Sequence, residues 1–152
     1  MKLHNEILNG KRSSIVDRLI RFGDRFYLAG GTGLALQLGH RISEDFDFFT
    51  YTSFNNDSLF GEIKDLFPEF LLNVMQNEKD TFTVLLNDEI KISFFRLRYT
   101  NILPLLEAGN FKLAQIQEIG VMKLVALPRA VYKDYVDIYF ILKEFSLLSL
   151  MD

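Results

Sequence analysis

Two aspartates, Asp45 and Asp47, lie one residue apart within the phenylalanine-rich stretch EDFDFF. Side chains at positions i and i+2 of a β-strand project from the same face. We therefore expect both carboxylates to point together, while Phe46 and Phe48 point to the other side and are buried. Two neighbouring carboxylates repel each other, and a hard divalent cation removes that repulsion because it prefers oxygen ligands. The spacing predicts a Mg²⁺ (or Mn²⁺) site that shares its ion with the phosphates of a substrate.

A glycine pair, Gly30–Gly31, lies between an apolar run and a stretch with helical character, FYLA and TGLALQLG. Missing β-carbons let a phosphate come close to the backbone, and the free amides and dipole of a helix N-terminus favour an anion. Thr32 adds a hydroxyl. Taken singly, a Gly-Gly pair is usually a turn, and an Asp-x-Asp pair is more often exposed than metal-binding. The two in succession, with Asp45 13 residues after Thr32, favour a phosphate site beside the metal site.

The hydrophobic pattern predicts the elements that position these residues. Strands are predicted at residues 25–30, 44–51, 69–76, 80–87 and 90–98. Helices are predicted loosely over 3–22 with an interruption at Gly10, again after Pro104, and over 31–39, 57–67, 115–127 and 132–145. The last helix is expected to bury a stripe formed by Tyr135, Ile138, Tyr139 and Leu142. This order predicts an α/β (α+β) fold, a mixed sheet of about five strands with helices packed on it.

The bulk composition limits the class of protein. A chain of 152 residues is long enough for one domain with a real core, and the absence of cysteine excludes disulfides and thiolate metal sites. No apolar stretch approaches the roughly 18 residues of a membrane span, and the N-terminus lacks the apolar region of a secretory signal. The net charge of −3 disfavours general nucleic-acid binding, although Arg18, Arg21 and Arg25 leave RNA open. We expect a cytoplasmic protein with no membrane partner.

Two segments of the chain resemble a known family. LAGGTGLALQLGHRISEDFDFF is similar to the first motif of the DNA polymerase β-type nucleotidyltransferase superfamily and, within it, of the AbiEii/AbiGii-type toxin nucleotidyltransferases. The shared features are the GG-T start, the LAL helix, the H-R-x-S loop and the D-x-D strand. IGVMKLVALPRAVYKDYVDIYFIL resembles the second signature, a lysine on one helix followed by a K/R-D-x-x-D helix. The signatures span residues 26–49 and 119–142, and the order of elements between them also agrees.

The resemblance implies roles in the first signature. The backbone of Gly30 and Gly31, together with Thr32, would hold triphosphate oxygens of an NTP. Asp45 and Asp47 would bind Mg²⁺ (or Mn²⁺) and would be catalytic.

It also implies roles for residues near these carboxylates and in the second signature. Arg41 and Ser43, in the H-R-x-S loop, would lie beside the metal carboxylates. Lys123 would meet the nucleotide phosphates or the base, and Asp137 would complete the catalytic site from the last helix. Arg129 follows a proline in a loop, from which it can reach a phosphate or a carbonyl.

Some of these residues also have ordinary structural explanations. Lys123 could be a solvated helix lysine. Lys133 and Asp137, spaced i and i+4, could form a plain helix ion pair worth about 0.3 kcal/mol, and we expect this for Lys133. We expect His40 to be a capped loop histidine rather than a catalytic one.

One departure from the superfamily pattern concerns a third carboxylate, which polymerase β-type enzymes usually add from a later strand. In the strand EIKISFFRLRY, Lys91, Ser93 and Phe95 share one face by alternation. Ser93 stands where the acid is expected, and Glu89 lies at the strand start. The general base is left open between Asp137 and a water, with weak catalysis as a third outcome.

The resemblance implies a Mg²⁺-dependent nucleotidyltransferase that moves an NMP from an NTP to an acceptor hydroxyl, with pyrophosphate leaving. It also implies the toxin of a bacterial toxin–antitoxin or phage-defence (abortive infection) system, with a cognate antitoxin and a tRNA 3′ end or a protein as acceptor. Two alternatives remain: a transferase that modifies a small molecule such as an antibiotic, and a non-catalytic nucleotide-binding module. We expect a single domain over residues 1–152. Family members often continue with further helices, so the chain is either a compact or a shortened version.

Overall fold

The computed structural model describes all 152 residues and contains one mixed sheet of seven strands. The strands are β1 (Tyr27–Ala29), β2 (Phe46–Thr50), β3 (Leu72–Glu78), β4 (Thr81–Leu86), β5 (Ile90–Arg96), β6 (Leu106–Ala108) and β7 (Phe111–Leu113). The helices are α1 (Gly10–Leu19), α2 (Gly30–Leu38), α3 (Asn56–Leu66), α4 (Ile116–Ala126), α5 (Tyr132–Glu144) and α6 (Leu147–Met151). The strand order is β3-β4-β5-β2-β1-β7-β6, in which β2 is parallel to β5 and antiparallel to β1. The predicted fold class is confirmed.

The two strands beyond the predicted five form a hairpin after Pro104, where a return to helix was expected. Ala108 pairs with Phe111, and a two-residue turn joins them. Gly109 in this turn has a φ of +65°, and a glycine at the first central position is typical of a tight hairpin turn. The helix prediction is therefore wrong for residues 106–113.

The main core lies on one face of the sheet and explains the phenylalanine-rich stretch. Phe46 and Phe48 of β2 are buried there, together with Phe94 of β5, whose ring stacks on Phe48 at 5.4 Å between centroids. Helices α1 and α3 contribute to the same core through Leu19 and Ile63. Burying one such ring stabilises the fold by about 1.5–3 kcal/mol, so alternate residues of β2 secure the sheet from this side.

The opposite face of the sheet is covered only in part. A smaller core, which includes Phe49, Ile119, Ile141 and Leu150, packs the last three helices onto it. The remaining part of this face, along β2, β5 and β4, borders a cavity instead of a helix. The residues that β2 does not bury in the main core therefore face either a helix or this cavity.

The helix ends follow local signals. Helix α2 ends at Gly39, which has a φ of +62° and donates its amide to Ala35, so the predicted end is confirmed. Helix α1 begins at Gly10, because the side chain of Asn9 accepts a hydrogen bond from the amide of Arg12 and caps the helix there. The predicted interruption at Gly10 is thus a helix start. None of the helices has the length and apolar character needed to cross a bilayer.

The predicted buried stripe of α5 is wrong. Tyr135 and Tyr139 are 51% and 59% exposed, and Leu142 is exposed as well. The face that α5 buries carries Asp134 and Asp137 together with Ile141. Hydrophobic periodicity alone could not find this face, because ion pairs rather than apolar contacts bury the two aspartates.

Candidate active site

Strand β2 places the two aspartates on the cavity side of the sheet. Asp47 lies in register with Ala29 of β1 and Ser93 of β5, and Asp45 immediately precedes the strand. Both aspartates line a cavity of about 450 Å³. Phe46 and Phe48 point into the core on the other side. The alternation predicted from the sequence is confirmed.

The carboxyl group of Asp47 is electrostatically unusual. Burial raises its pKa, the Lys91 ammonium opposes this effect, and the neighbouring Asp45 adds to it. The charges of Lys123 and Arg129 also lower the pKa, with smaller effects. A half-buried acid that is costly to ionise is one that gains from a bound cation.

The glycine bend lies directly against this acid. Gly30 begins α2 with a φ of +62°, and a β-carbon there would lie 2.5 Å from Oδ2 of Asp47. Gly31 lines the cavity, and a β-carbon at this position would collide with the guanidinium of Arg41. The first amides of a helix lack intrahelical partners. The bend therefore offers donors to an anion next to the Asp47 carboxylate.

Thr32 and Ser43 hold the loop that carries Asp45. The buried Thr32 hydroxyl donates to the backbone carbonyl of Asp45 and accepts from the Ser43 hydroxyl, at 2.6 Å between the two oxygens. Both residues lie at the cavity, as expected. The Thr32 hydroxyl is already bonded within the protein, however, and this differs from the phosphate contact that the resemblance implies. Its observed contacts fix the position of Asp45.

Asp137 is enclosed by basic partners. It accepts hydrogen bonds from Nε and Nη2 of Arg41 at 2.7 and 2.9 Å, and its Oδ1 lies 2.7 Å from Nε2 of His40. Nζ of Lys123 lies 2.9 Å from Oδ2. Burial would raise the pKa of Asp137, but the hydrogen bonds from Arg41, His40 and Lys123 outweigh it and hold the pKa well below its ordinary value.

These contacts determine what Asp137 can do. Its side chain is 0% exposed and does not border the cavity, so it is not placed to accept a proton from a substrate hydroxyl. Its contacts position Arg41 behind the glycine bend and Lys123 beside the cavity. Lys133 does not pair with Asp137 as predicted, since its ammonium lies 3.6 Å from Glu44.

Lys123 connects α4 to both buried aspartates of α5. Its Nζ lies 2.7 Å from Oδ1 of Asp134, and Arg129 approaches the other oxygen of Asp134 at 3.2 Å. Lys123 is therefore a buried, paired lysine at the cavity wall rather than a solvated one. Asp134 also lines the cavity and was not among the predicted site residues. Its i, i+3 spacing from Asp137 was the available signal.

Ser93 stands where the family resemblance implies a third carboxylate. It lies beside Asp47 on the neighbouring strand, and its hydroxyl accepts a hydrogen bond from Thr83 at 3.0 Å. Glu89 does not replace the missing carboxylate. It pairs with Lys11 at 2.6 Å and does not line the cavity. No group of three or more His, Cys, Asp or Glu side chains is arranged to hold a metal ion. Two carboxylates still fit one Mg²⁺, which commonly completes its ligands with substrate phosphates and water.

The charges around the cavity are mixed, with a small excess of positive groups. Its cationic side chains are Arg41, Lys91, Lys123, Arg129 and Lys133. Its carboxylates are Glu44, Asp45, Asp47 and Asp134. A second, more apolar cavity of about 730 Å³ adjoins the first and shares Asp47, Phe95, Lys123 and Arg129 with it. The site thus has a polar and an apolar compartment that meet at Asp47.

Comparison with known proteins places this geometry in a family. The model of the family described as nucleotidyl transferase AbiEii toxin, type IV toxin–antitoxin system, matches residues 15–151. The uncharacterised Aquifex aeolicus protein aq_aa25 is 36% identical over 149 residues, which cover 90% of this chain and 68% of that protein.

Solved structures show the same fold. JHP933 from Helicobacter pylori superposes with a TM-score of 0.65 at 20% identity, over 88% of this chain and 65% of that one. The Megavirus polyadenylate synthase gives a TM-score of 0.62 at 14% identity, over 85% of this chain and 30% of that one. The antibiotic-resistance factor ANT(2'')-Ia gives 0.64 at 11% identity, over 93% and 88%. The chain spans about two thirds of the length of the Aquifex and Helicobacter relatives.

Proposed function

The chain belongs to the AbiEii family of nucleotidyltransferase toxins, and from this premise we propose that it transfers a nucleoside monophosphate from an NTP to an acceptor hydroxyl with the help of Mg²⁺. The observation that carries this proposal is the contact between the Gly30 bend and the Asp47 carboxylate. It brings an anion-binding helix start and a cation-binding acid together in one cavity. A triphosphate with its metal ion requires both within a few ångströms.

The roles follow from the positions of the side chains. Asp45 and Asp47 would hold the ion, which when bound would neutralise charge on the phosphates. The amides at the start of α2 would bind phosphate oxygens, and Lys123 and Arg129 at the cavity wall would add positive charge. The adjoining apolar compartment, with Phe95 in its wall, suits the nucleobase.

The reaction would be an in-line substitution at the α-phosphate. The bond from the acceptor oxygen to the α-phosphorus forms as the bond to the bridging oxygen breaks, and pyrophosphate leaves. Asp137 has three basic partners and does not border the cavity, which argues against it as the base, and Ser93 has no carboxylate to offer. We therefore assign the hydroxyl proton to water in the open cavity.

The charge of the cavity bears on the acceptor. Five cationic side chains against four carboxylates favour a phosphate-bearing acceptor, such as a tRNA 3′ end, over a cationic aminoglycoside. A protein hydroxyl is the second acceptor that the family resemblance implies. The family description names a toxin–antitoxin system, and we propose a cognate antitoxin as the partner of this chain.

The test is transfer of label from each of the four α-³²P-labelled NTPs to total tRNA, to cell protein and to an aminoglycoside, with Mg²⁺ or with EDTA. We expect one NTP to label the tRNA or the protein only when Mg²⁺ is present, and Asp47→Asn to abolish the labelling. Gly61→Ala, remote from the cavity on α3, is the control and should keep it. Labelling that survives both Asp45→Ala and Asp47→Ala would overturn the proposal. Mg²⁺-dependent NTP binding without any transfer would instead identify a binding module.

A further inference from the structure

A lysine of β5 faces the acid pair from inside the cavity. Lys91, Ser93 and Phe95 alternate on the cavity face of the strand. Nζ of Lys91 lies 3.7 Å from Oδ2 of Asp45, and the lysine side chain remains 47% exposed. The ammonium thus stands beside the two carboxylates that would hold a metal ion.

The Lys91–Asp45 contact has little value for folding. Ion pairs between partly exposed side chains contribute about 0–1 kcal/mol, and both partners here keep more than a third of their surface in solvent. Nothing in the packing of β5 requires a charge at this position, because its neighbour Ile92 already secures the strand from the core side. We therefore look for the role of the Lys91 charge in the chemistry of the cavity rather than in folding.

The ligands present suffice for one divalent ion. Two-metal sites hold their ions about 3.5–4 Å apart and bridge them with carboxylates. In this cavity Asp45 and Asp47 are the two carboxylates on β2 and its start, Ser93 replaces a third, and Lys91 already brings one positive charge. A second dication would have to be held next to this ammonium. The other two carboxylates of the cavity already have basic partners, since Glu44 lies beside Lys133 and Asp134 is bonded to Lys123 and Arg129.

We propose that Lys91 takes the place of one of two metal ions, so that the site binds a single divalent cation and uses the lysine ammonium as the second, fixed positive charge. This inference rests on the proposed nucleotidyl transfer. The Lys91 ammonium faces the Asp45 carboxylate at 3.7 Å and would donate to an oxygen of the reacting phosphate. No atom is exchanged with the lysine, and the bonds formed and broken are those of the transfer itself.

Binding of Mn²⁺, followed by electron paramagnetic resonance with a non-hydrolysable NTP analogue, tests the inference without relying on activity. We expect one Mn²⁺ per wild-type chain and also one after Ser93→Asp alone, because the Lys91 ammonium is still present. We expect two per chain only when Lys91→Met and Ser93→Asp are combined, which removes the ammonium and supplies a third carboxylate. Two ions per wild-type chain would overturn the inference.

Substitution of the lysine gives a second, independent readout. Without nucleotide, Lys91→Met should bind Mn²⁺ about tenfold more tightly. The change removes a positive charge, which repels the cation, about 4 Å from the Asp45 carboxylate in a partly solvated site. The same variant should lose about 100-fold in transfer rate, while Lys91→Arg should keep the wild-type Mn²⁺ affinity. A lysine with a merely structural role would not move binding and transfer in opposite directions.

The controls separate failure of this inference from failure of the proposed function. Lys133→Met removes a charge from the same cavity, but beside Glu44, and should change Mn²⁺ affinity less than threefold. An equal gain of affinity in Lys133→Met and Lys91→Met would overturn the inference. Mn²⁺ binding that survives Asp47→Asn would overturn the proposed function itself. If Asp47→Asn abolishes binding but Lys91→Met leaves it unchanged, only the inference fails.

Discussion

Arg41 donates two parallel hydrogen bonds to the Asp137 carboxylate, from Nε at 2.7 Å and from Nη2 at 2.9 Å. The pair joins the loop after α2 to α5 across 96 positions of the chain. Bidentate pairs of this kind are among the strongest side-chain contacts. Together with His40 and Lys123, this pair therefore connects the first signature, which ends in β2, to the second signature on α4 and α5.

Asp137→Asn should therefore destabilise the protein strongly. Removing one partner of a buried ion pair leaves the other charges unpaired and lowers the free energy of unfolding by about 3–5 kcal/mol. Because the pKa of Asp137 is lowered in the folded state, its contribution is present above the unfolded value near 3.8 and is lost as the pH falls through the folded value. The deficit of the variant should be constant at neutral pH and shrink only in acid. Urea unfolding between pH 3 and pH 7 measures it, with the exposed Asp65→Asn as control.

Asp47→Asn should have the opposite effect on stability. The pKa of Asp47 is raised by burial, so ionisation of this group weakens the fold above the unfolded pKa, and the penalty is complete above the folded pKa. We expect the variant to be more stable than the wild type by about 1 kcal/mol at neutral pH and equally stable near pH 3. Thermal unfolding over this range without metal ions provides the measurement. A variant less stable than the wild type at pH 7 would contradict the assignment of Asp47 as an unpaired acid.

Gly30→Ala should impair both the fold and the site. The position has a φ of +62°, and the new methyl group would meet the Asp47 carboxylate, so we expect a loss of about 1–3 kcal/mol and a large drop in nucleotide binding. Gly61→Ala is the matched control, because nothing lies within 4 Å of a β-carbon there and alanine favours a helix interior by about 0.5–1 kcal/mol. Calorimetric NTP binding and urea unfolding of both variants give the comparison. Equal behaviour of the two would refute the close approach at Gly30.

Thr32→Val should lower activity by displacing Asp45. Valine keeps the shape of threonine but leaves the Asp45 carbonyl and the Ser43 hydroxyl without their partner, which costs about 1–3 kcal/mol. We expect weaker Mn²⁺ binding and transfer reduced about tenfold. Thr32→Ser keeps the hydroxyl and should retain both. If valine and serine behave alike, the hydroxyl does not hold Asp45.

The sequence predicted those parts of the site that depend on local pattern. Alternation in β2 separated Asp45 and Asp47 from their phenylalanine neighbours, and the glycine pair marked the start of α2. Alternation in β5 put Lys91, Ser93 and Phe95 on one face, and the family resemblance implied that Ser93 stands where a third carboxylate is expected. In the structure Ser93 pairs with Asp47 on the neighbouring strand.

The errors arose where long-range contacts decide the outcome. No local signal shows that Asp137 meets His40 and Arg41 from nearly a hundred residues away. Hydrophobic periodicity assigns the tyrosines of α5 to the core and its aspartates to the surface, and only the family resemblance points to Asp137 as a site residue. The hairpin of β6 and β7 was missed because its strands have three residues each, too few to establish a period.

The two-residue period of β2 also separates residues that stabilise the fold from residues that line the cavity. Phe46 and Phe48 hold the sheet to the main core, whereas Asp45 and Asp47 face the cavity, so a substitution in one pair leaves the other pair in place. Insertion or deletion of a single amino acid within the strand would exchange the two sets, sending charges inward and rings outward. A point substitution in this strand therefore alters one face of the sheet, whereas a change in its length alters both faces at once.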